Sequence, residues 1–204
     1  NIVYVATNEA VHKTRDGGAT WEQFQAFTAR RVTTLAIDPK LPATVYAGTM
    51  GDAIYKSPDG GQHWLPHNVG LKEHVSFINQ FVFHPAASEQ IYAATTVGAF
   101  YSKDAGREWT ERMNGMKEVH IVTYIAINRK DPTMLYAGTT GGIYRSDDAG
   151  GSWTLVNAHR DLWQRSFYFN RVVADPLRRP RGELEGRDEA EGRVVAEDEL
   201  REEG

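Results

Sequence analysis

Four carboxylates recur in one setting. The segments TRDGGATW (14–21), SPDGGQHW (57–64), SKDAGREW (102–109) and SDDAGGSW (146–153) each place an aspartate two residues after a hydroxyl side chain and five before a tryptophan. A carboxylate beside a hydroxyl could act as a general acid or base, but that chemistry needs a second group of opposite role within reach of the same substrate. The boxes supply no such pair, and an element that recurs once per unit is what a scaffold requires. Asp16, Asp59, Asp104 and Asp148 are therefore read as structural, and no catalytic residue is assigned. Each carboxylate can accept backbone N–H groups across its own turn, and the glycine two residues on (Gly18, Gly61, Gly106, Gly150) tolerates positive φ. Thr14, Ser57, Ser102 and Ser146 open the turn; Trp21, Trp64, Trp109 and Trp153 leave it, with rings free to pack beneath the loop or against the next unit.

Other chemistries find less support. His63 and His67 straddle strand residues too far apart for one ion, so no metal site and no cofactor is expected. The absence of cysteine excludes a disulfide scaffold and a thiolate zinc site. A net charge of −4 argues against a nucleic-acid binder, and no apolar run approaches the roughly 20 residues of a membrane span. There is no phosphate-cradling glycine loop and no glycosylation sequon.

The elements that must hold the boxes repeat with them. The box aspartates are spaced 43, 45 and 44 residues apart. A second series, VYVAT, VYAGT, IYAAT and LYAGT, sets Tyr4, Tyr46, Tyr92 and Tyr136 at the same period. A third, LAIDP, FVFHP, YIAIN and VVADP, aligns Asp38, His84, Asn128 and Asp175. Within one period RVTTLAI, ATVYAGT, DAIYKS and QHWLPH read as strands parted by a proline turn, a glycine turn and the Asp-Gly hairpin. Four antiparallel strands per repeat predict an all-β fold, a β-propeller of four-stranded blades. Each box then staples the hairpin between the third and fourth strands.

These residues resemble the Asp-box (BNR) repeat. The run LYAGTTGGIYRSDDAGGSW (135–153) is similar to the propellers of photosystem II stability/assembly-factor-like proteins, and the same box occurs in sialidase, xyloglucanase and sortilin propellers. The resemblance covers residues 1–177 and implies a propeller, a basic patch for partner binding, and an extracytoplasmic (periplasmic or secreted) setting. Such families usually have six or more blades, so four is a departure. The segment F/Y-R-I-P of sialidases is missing.

The expected organisation is a propeller over 1–177 and a charged, disordered tail over 178–204, where six arginines face ten acids and almost nothing apolar remains. The chain opens inside a second strand, and SFYFNRVVADP (166–176) reads as a first strand. Joining the two would complete the N-terminal blade and remove an open edge; an arc of a larger ring, with self-association through its open ends, is the other expectation. The abrupt loss of register after Pro176 also suggests a shifted reading frame, which resequencing the gene would test.

Loops alternate between two faces. Boxes and proline turns share one; the second-to-third-strand loops and the links between blades share the other. The links FTARR (27–31), HNVGLKEHVSF (67–77), MNGMKEVHI (113–121) and NAHRDLWQRSF (157–167) are the irregular part of the repeat, and variation on a repeated scaffold marks where ligands are read. They carry Arg30, Arg31, Lys72, His74, Lys117, His120, Arg160, Trp163 and Arg165, a basic rim with one aromatic suited to an acidic peptide or protein surface. The expected function is non-enzymatic protein binding, as a scaffold or an assembly or stability factor. The alternatives are a piece of a carbohydrate-active glycoside hydrolase, with a glycan as partner, and a sortilin-like receptor. The hydrolase would need two acids facing across a substrate; Glu73, Glu118 and Asp161 lie on the favoured face beside basic residues, while Asp38, Asp131 and Asp175 lie in proline turns.

Overall fold

In the computed structural model, residues 2–7, 10–24, 31–71, 75, 77–117 and 121–158 are described. β1 (Val3–Ala6), β2 (Val11–Thr14) and β3 (Glu22–Phe24) form a three-stranded sheet. β4 (Val32–Ile37), β5 (Val45–Thr49), β6 (Ile54–Ser57) and β7 (Leu65–Pro66) form the second, and β8 (Ile78–Phe83), β9 (Ile91–Thr95), β10 (Gly98–Ser102) and β11 (Thr110–Glu111) the third. The fourth contains β12 (Val122–Ile127), β13 (Leu135–Thr139), β14 (Gly142–Ser146) and β15 (Thr154–Asn157). Every pairing is between consecutive strands and antiparallel. The fold is an all-β propeller, with four blades among the described residues. β1 aligns with the second strands β5, β9 and β13, so among the described residues the first blade shows no innermost strand; residues 166–176, read as a strand able to fill that place, lie outside the described residues, as does the tail.

The innermost strands β4, β8 and β12 pack side by side. Each carries one bulge, at Thr33, Asn79 and Thr123, where the ladder to the second strand slips. The bulge side chains then bridge: Thr33 Oγ1 donates to the Ile78 carbonyl at 2.6 Å and Asn79 Nδ2 to the Val122 carbonyl at 2.8 Å.

Among the described residues no blade has a core of its own. The apolar clusters sit between blades: Val11, Val45, Ala47 and Trp64 between the first and second; Tyr46, Ile54, Ile91 and Trp109 between the second and third; Tyr92, Ala99, Leu135 and Trp153 between the third and fourth. The tryptophan therefore packs against the preceding blade, not the next one. The indole N–H groups divide: Trp109 Nε1 donates to the His67 carbonyl and Trp153 Nε1 to the Arg112 carbonyl, both at 3.0 Å and both in the blade before, whereas Trp64 Nε1 donates at 2.9 Å to the Gly61 carbonyl of its own box, beneath the loop.

Candidate functional site

The hydroxyl, the carboxylate and the glycine of each box close on one another. Ser57 Oγ donates to Asp59 Oδ1 at 2.8 Å and accepts the Gly61 N–H at 2.8 Å, and Asp59 Oδ1 accepts the His63 N–H at 2.9 Å. The same three bonds recur around Thr14–Asp16–Thr20, Ser102–Asp104–Glu108 and Ser146–Asp148–Ser152. The residue four beyond the aspartate adds a side-chain bond in three blades: Thr20, His63 and Ser152 each meet Oδ2 within 2.7 Å. Hydrogen bonds to an ionised carboxylate favour that form. The side chain and backbone of Ser152 hold the Asp148 carboxyl at about 2, and equivalent donors hold Asp16 and Asp59 further down. Burial pushes Asp104 up, but the bonds from Glu108 N–H and Ser102 outweigh it and leave it low as well.

The residue between the aspartate and the glycine (Gly17, Gly60, Ala105, Ala149) has φ of +77, +74, +59 and +56°. This left-handed turn aims a carbonyl at the preceding blade. Tyr4 Oη and Lys13 Nζ donate to the Gly60 carbonyl at 3.2 and 3.0 Å; Tyr46 Oη and Lys56 Nζ donate to that of Ala105 at 3.0 and 2.9 Å. Tyr92 Oη donates to the Ala149 carbonyl at 3.0 Å. The box also binds its own proline turn: the Gly60, Ala105 and Ala149 N–H groups donate to the carbonyls of Ala43, Glu89 and Thr133. In those turns Asp38 Oδ1 accepts the N–H groups of Lys40 and Leu41, Asn128 Oδ1 accepts that of Lys130, and His84 Nδ1 that of Ala86. On this face the repeated polar groups are engaged in holding turns and joining blades.

The opposite face is built from the second-to-third-strand loops and the links. Thr49, Thr95 and Thr139 close the loops, each donating its hydroxyl to a carbonyl three or four residues on (Ala53, Gly98, Gly142). Of the basic rim, Arg31 and Lys117 lie among the described residues and both are exposed, each in a link on this face. Arg30, Lys72, His74, His120, Arg160, Trp163 and Arg165 lie outside the described residues, as do Glu73, Glu118 and Asp161. Apolar side chains are exposed on the same face at Met50 and Val69.

The links are less irregular than their sequences suggest. Val69 and Asn114 each give their carbonyl to a box tryptophan N–H, of Trp109 and Trp153, at 2.8 Å. The following glycines, Gly70 and Gly115, have φ of +83 and +92°, and a Cβ on either would lie 2.0 Å from that tryptophan's carbonyl oxygen. The next residues, Leu71 and Met116, pack into the interblade clusters. The sequence carried this signal as GLKE (70–73) and GMKE (115–118), a repeat that sets Lys117 at the same point as Lys72. The bulge residues Thr33, Asn79 and Thr123, half-buried on the innermost strands, left no comparable mark. Among the described residues no group of three His, Asp or Glu could hold a metal ion, and no helix is long and apolar enough to cross a membrane.

Residues 9–140 match the family model for sortilin, neurotensin receptor 3, over well more than half of the chain. The chain belongs to the Sortilin-Vps10 family. A comparison with curated proteins returns no match. Among solved structures this family member is similar to an ancestral GH74 enzyme (20% identity, TM-score 0.66), covering 79% of this chain and 23% of that one. It is also similar to YCF48 from Cyanidioschyzon merolae (18% identity, TM-score 0.54, 75% of this chain and 55% of that one). The likeness extends to YCF48 bound to D1 peptide (15% identity, TM-score 0.54, 76% of this chain and 47% of that one). The chain thus spans from about a quarter to about half the length of these structures, and identities this low carry the fold alone.

Proposed function

We propose that this propeller is a non-enzymatic protein-binding module, a scaffold or an assembly or stability factor, that takes an acidic peptide segment on the face opposite the Asp boxes. The observation that carries the reading is the engagement of the box-face polar groups: all four box carboxylates are closed within their own turns, and the carbonyls beside three of them are held by the preceding blade. The opposite face keeps Arg31 and Lys117 exposed, and Met50 and Val69 are exposed on it as well, cations and apolar anchors on one face. The structure named YCF48 bound to D1 peptide, whose fold this chain shares, supports a peptide as the ligand class.

Titration of the 204-residue chain with a fluorescent Asp/Glu-rich peptide and a Lys-rich control tests this. The acidic peptide should bind with salt-sensitive affinity, and Arg31→Glu with Lys117→Glu should weaken it by about tenfold at unchanged melting temperature. Equal binding of both peptides, or no effect of the double charge reversal, would overturn the reading. A second reading, part of a glycoside hydrolase, is supported by the GH74 fold likeness alone, and Asp38 and Asp131, the candidate carboxylates among the described residues, are engaged in turns.

A further inference from the structure

The interface between the third and fourth blades departs from the one before it at two positions. Across the ladder from the second-strand tyrosine the first two blades carry lysine and the third carries tyrosine: Tyr4 pairs with Lys13, Tyr46 with Lys56, and Tyr92 with Tyr101. Just past the fourth strand, His67 and Arg112 hold equivalent places, since their N–H groups donate to the equivalent carbonyls of Ile54 and Ala99. Lys56 donates to the Ala105 carbonyl at 2.9 Å and His67 Nδ1 lies 3.0 Å from the Gly106 carbonyl, so both are spent on the following box. Tyr101 and Arg112 turn to one another instead, with the guanidinium 5.1 Å from the centre of the Tyr101 ring. Both neighbours of the third blade lie among the described residues, so the departure sits inside the arc and away from its ends.

Beside this pair lies a cavity of about 210 Å³, lined by Tyr101, Lys103, Asp104, Glu108, Thr110 and Arg112. It is below the roughly 300–1,000 Å³ of sites for drug-sized ligands and suits a smaller molecule. Arg112 Nε is buried and, among the described residues, meets no hydrogen-bond partner. A buried donor left unpaired costs about 1–3 kcal/mol, and more on a charged group, so it calls for an acceptor. Lys103 and Glu108 are exposed, and among the described residues neither joins an ion pair. Asp104 Oδ1 is committed to its own turn, accepting the Ser102 hydroxyl at 2.8 Å and the Glu108 N–H at 3.0 Å. The lining thus holds two cations and two carboxylates. A bare anion would meet the acids and a bare cation would meet Arg112 and Lys103; a molecule carrying both signs can satisfy each in turn.

We infer that this cavity binds a small zwitterion of the α-amino acid class, its carboxylate on Arg112 and Lys103 and its ammonium toward Glu108. The planar guanidinium fork matches a carboxylate, and stacking on Tyr101 holds that fork in one orientation before the ligand arrives. The set belongs to one blade. At the places of Lys103, Glu108 and Arg112 the second blade has Pro58, His63 and His67, and the fourth has Asp147, Ser152 and Val156. A position that varies on a repeated scaffold is where a ligand is read. The site stands on the box hairpin of the third blade, apart from the links that the proposed function assigns to a peptide.

Saturation-transfer NMR of the 204-residue chain with L-alanine, acetate and ethylamine tests this. L-alanine should bind saturably, and acetate and ethylamine, each lacking one of its charges, should bind about tenfold more weakly or worse. Arg112→Gln and Glu108→Gln should each weaken L-alanine by about tenfold, the loss of a charge-assisted hydrogen bond. Glu108 is exposed, so its variant reports on binding even where Arg112→Gln disturbs the stack on Tyr101. Binding of the acidic peptide should be unchanged in the Glu108 variant, which separates this site from the peptide face. No saturable binding of L-alanine, acetate binding as tightly as L-alanine, or a Glu108 variant that binds L-alanine like the parent would each overturn the inference.

Discussion

Tyr46 in the second blade donates its hydroxyl, at 3.0 Å, to the carbonyl of Ala105 in the third blade's Asp box. Lys56 donates to the same oxygen at 2.9 Å while its ammonium lies 5.2 Å from the Tyr46 ring. One blade thus grips the next through the turn that the box itself shapes. The next interface has a tyrosine where Lys56 stands, so Tyr92 is the side-chain donor that meets the Ala149 carbonyl among the described residues. Tyr46→Phe should therefore cost about 0.5–1.5 kcal/mol, a hydrogen bond lost with the acceptor still satisfied. Tyr92→Phe should cost more, about 1–3 kcal/mol, because its acceptor is left without a donor. Urea denaturation midpoints of the two variants check the order; equal losses would contradict it.

Ala105 and Ala149 hold φ of +59 and +56°, a conformation that costs an L-residue with a Cβ roughly 1–2 kcal/mol. The first two boxes have glycine at this position. Ala149→Gly removes the strain but loosens the unfolded chain, and the balance should stabilise the protein by up to about 1 kcal/mol. A lower melting temperature would mean that the Ala149 methyl makes a contact worth more than the strain it brings.

Acid should act in two windows. His67 is held below its ordinary 6.5, first by burial and then by Lys56 and Arg107 nearby, although its bond to the Gly106 carbonyl opposes this. The unfolded chain takes that proton first, so the stability it contributes is complete above about pH 6.5 and declines as the pH falls below it. The box aspartates are held below their ordinary 3.8, Asp148 at about 2 by the Ser152 side chain and backbone. Their stabilisation is complete above about pH 4 and is lost as the pH falls toward 2, where the turns surrender their carboxylates. Melting temperatures across pH 2–8 should show both slopes, and His67→Gln should flatten the upper one alone. A chain whose melting is flat below pH 4 would separate the boxes from stability.

The sequence made the period, the blade strands and the box turns legible because each is set by residues close along the chain: Ser102, Asp104 and Gly106 need only one another. It did not reveal on which side a blade meets its neighbour, and Trp109 packs backward onto His67 where the next blade was the expected neighbour. Bulges such as Asn79 break no apolar pattern, since the polar residue simply replaces one on the inner face, and its reach to the Val122 carbonyl belongs to another blade. Of the basic rim, Arg31 and Lys117 lie among the described residues, and both are exposed. The links looked free because their lengths vary. Yet their first residues answer to the tryptophan of the following blade.

That dependence gives the sharpest mutational contrast on the candidate face. Gly115 holds φ of +92°, and a Cβ there would meet the Trp153 carbonyl oxygen at 2.0 Å, a backbone atom that cannot swing away. Gly115→Ala should therefore cost about 3 kcal/mol or more, from the left-handed backbone and the clash together. Lys117, two residues on and exposed, should tolerate alanine within about 0.5 kcal/mol. If the link is first a strap and only then a binding surface, Gly115→Ala will lower the denaturation midpoint sharply and Lys117→Ala will leave it in place. Equal and small effects would return the whole link to the surface and leave the tryptophan bond at Asn114 without structural weight.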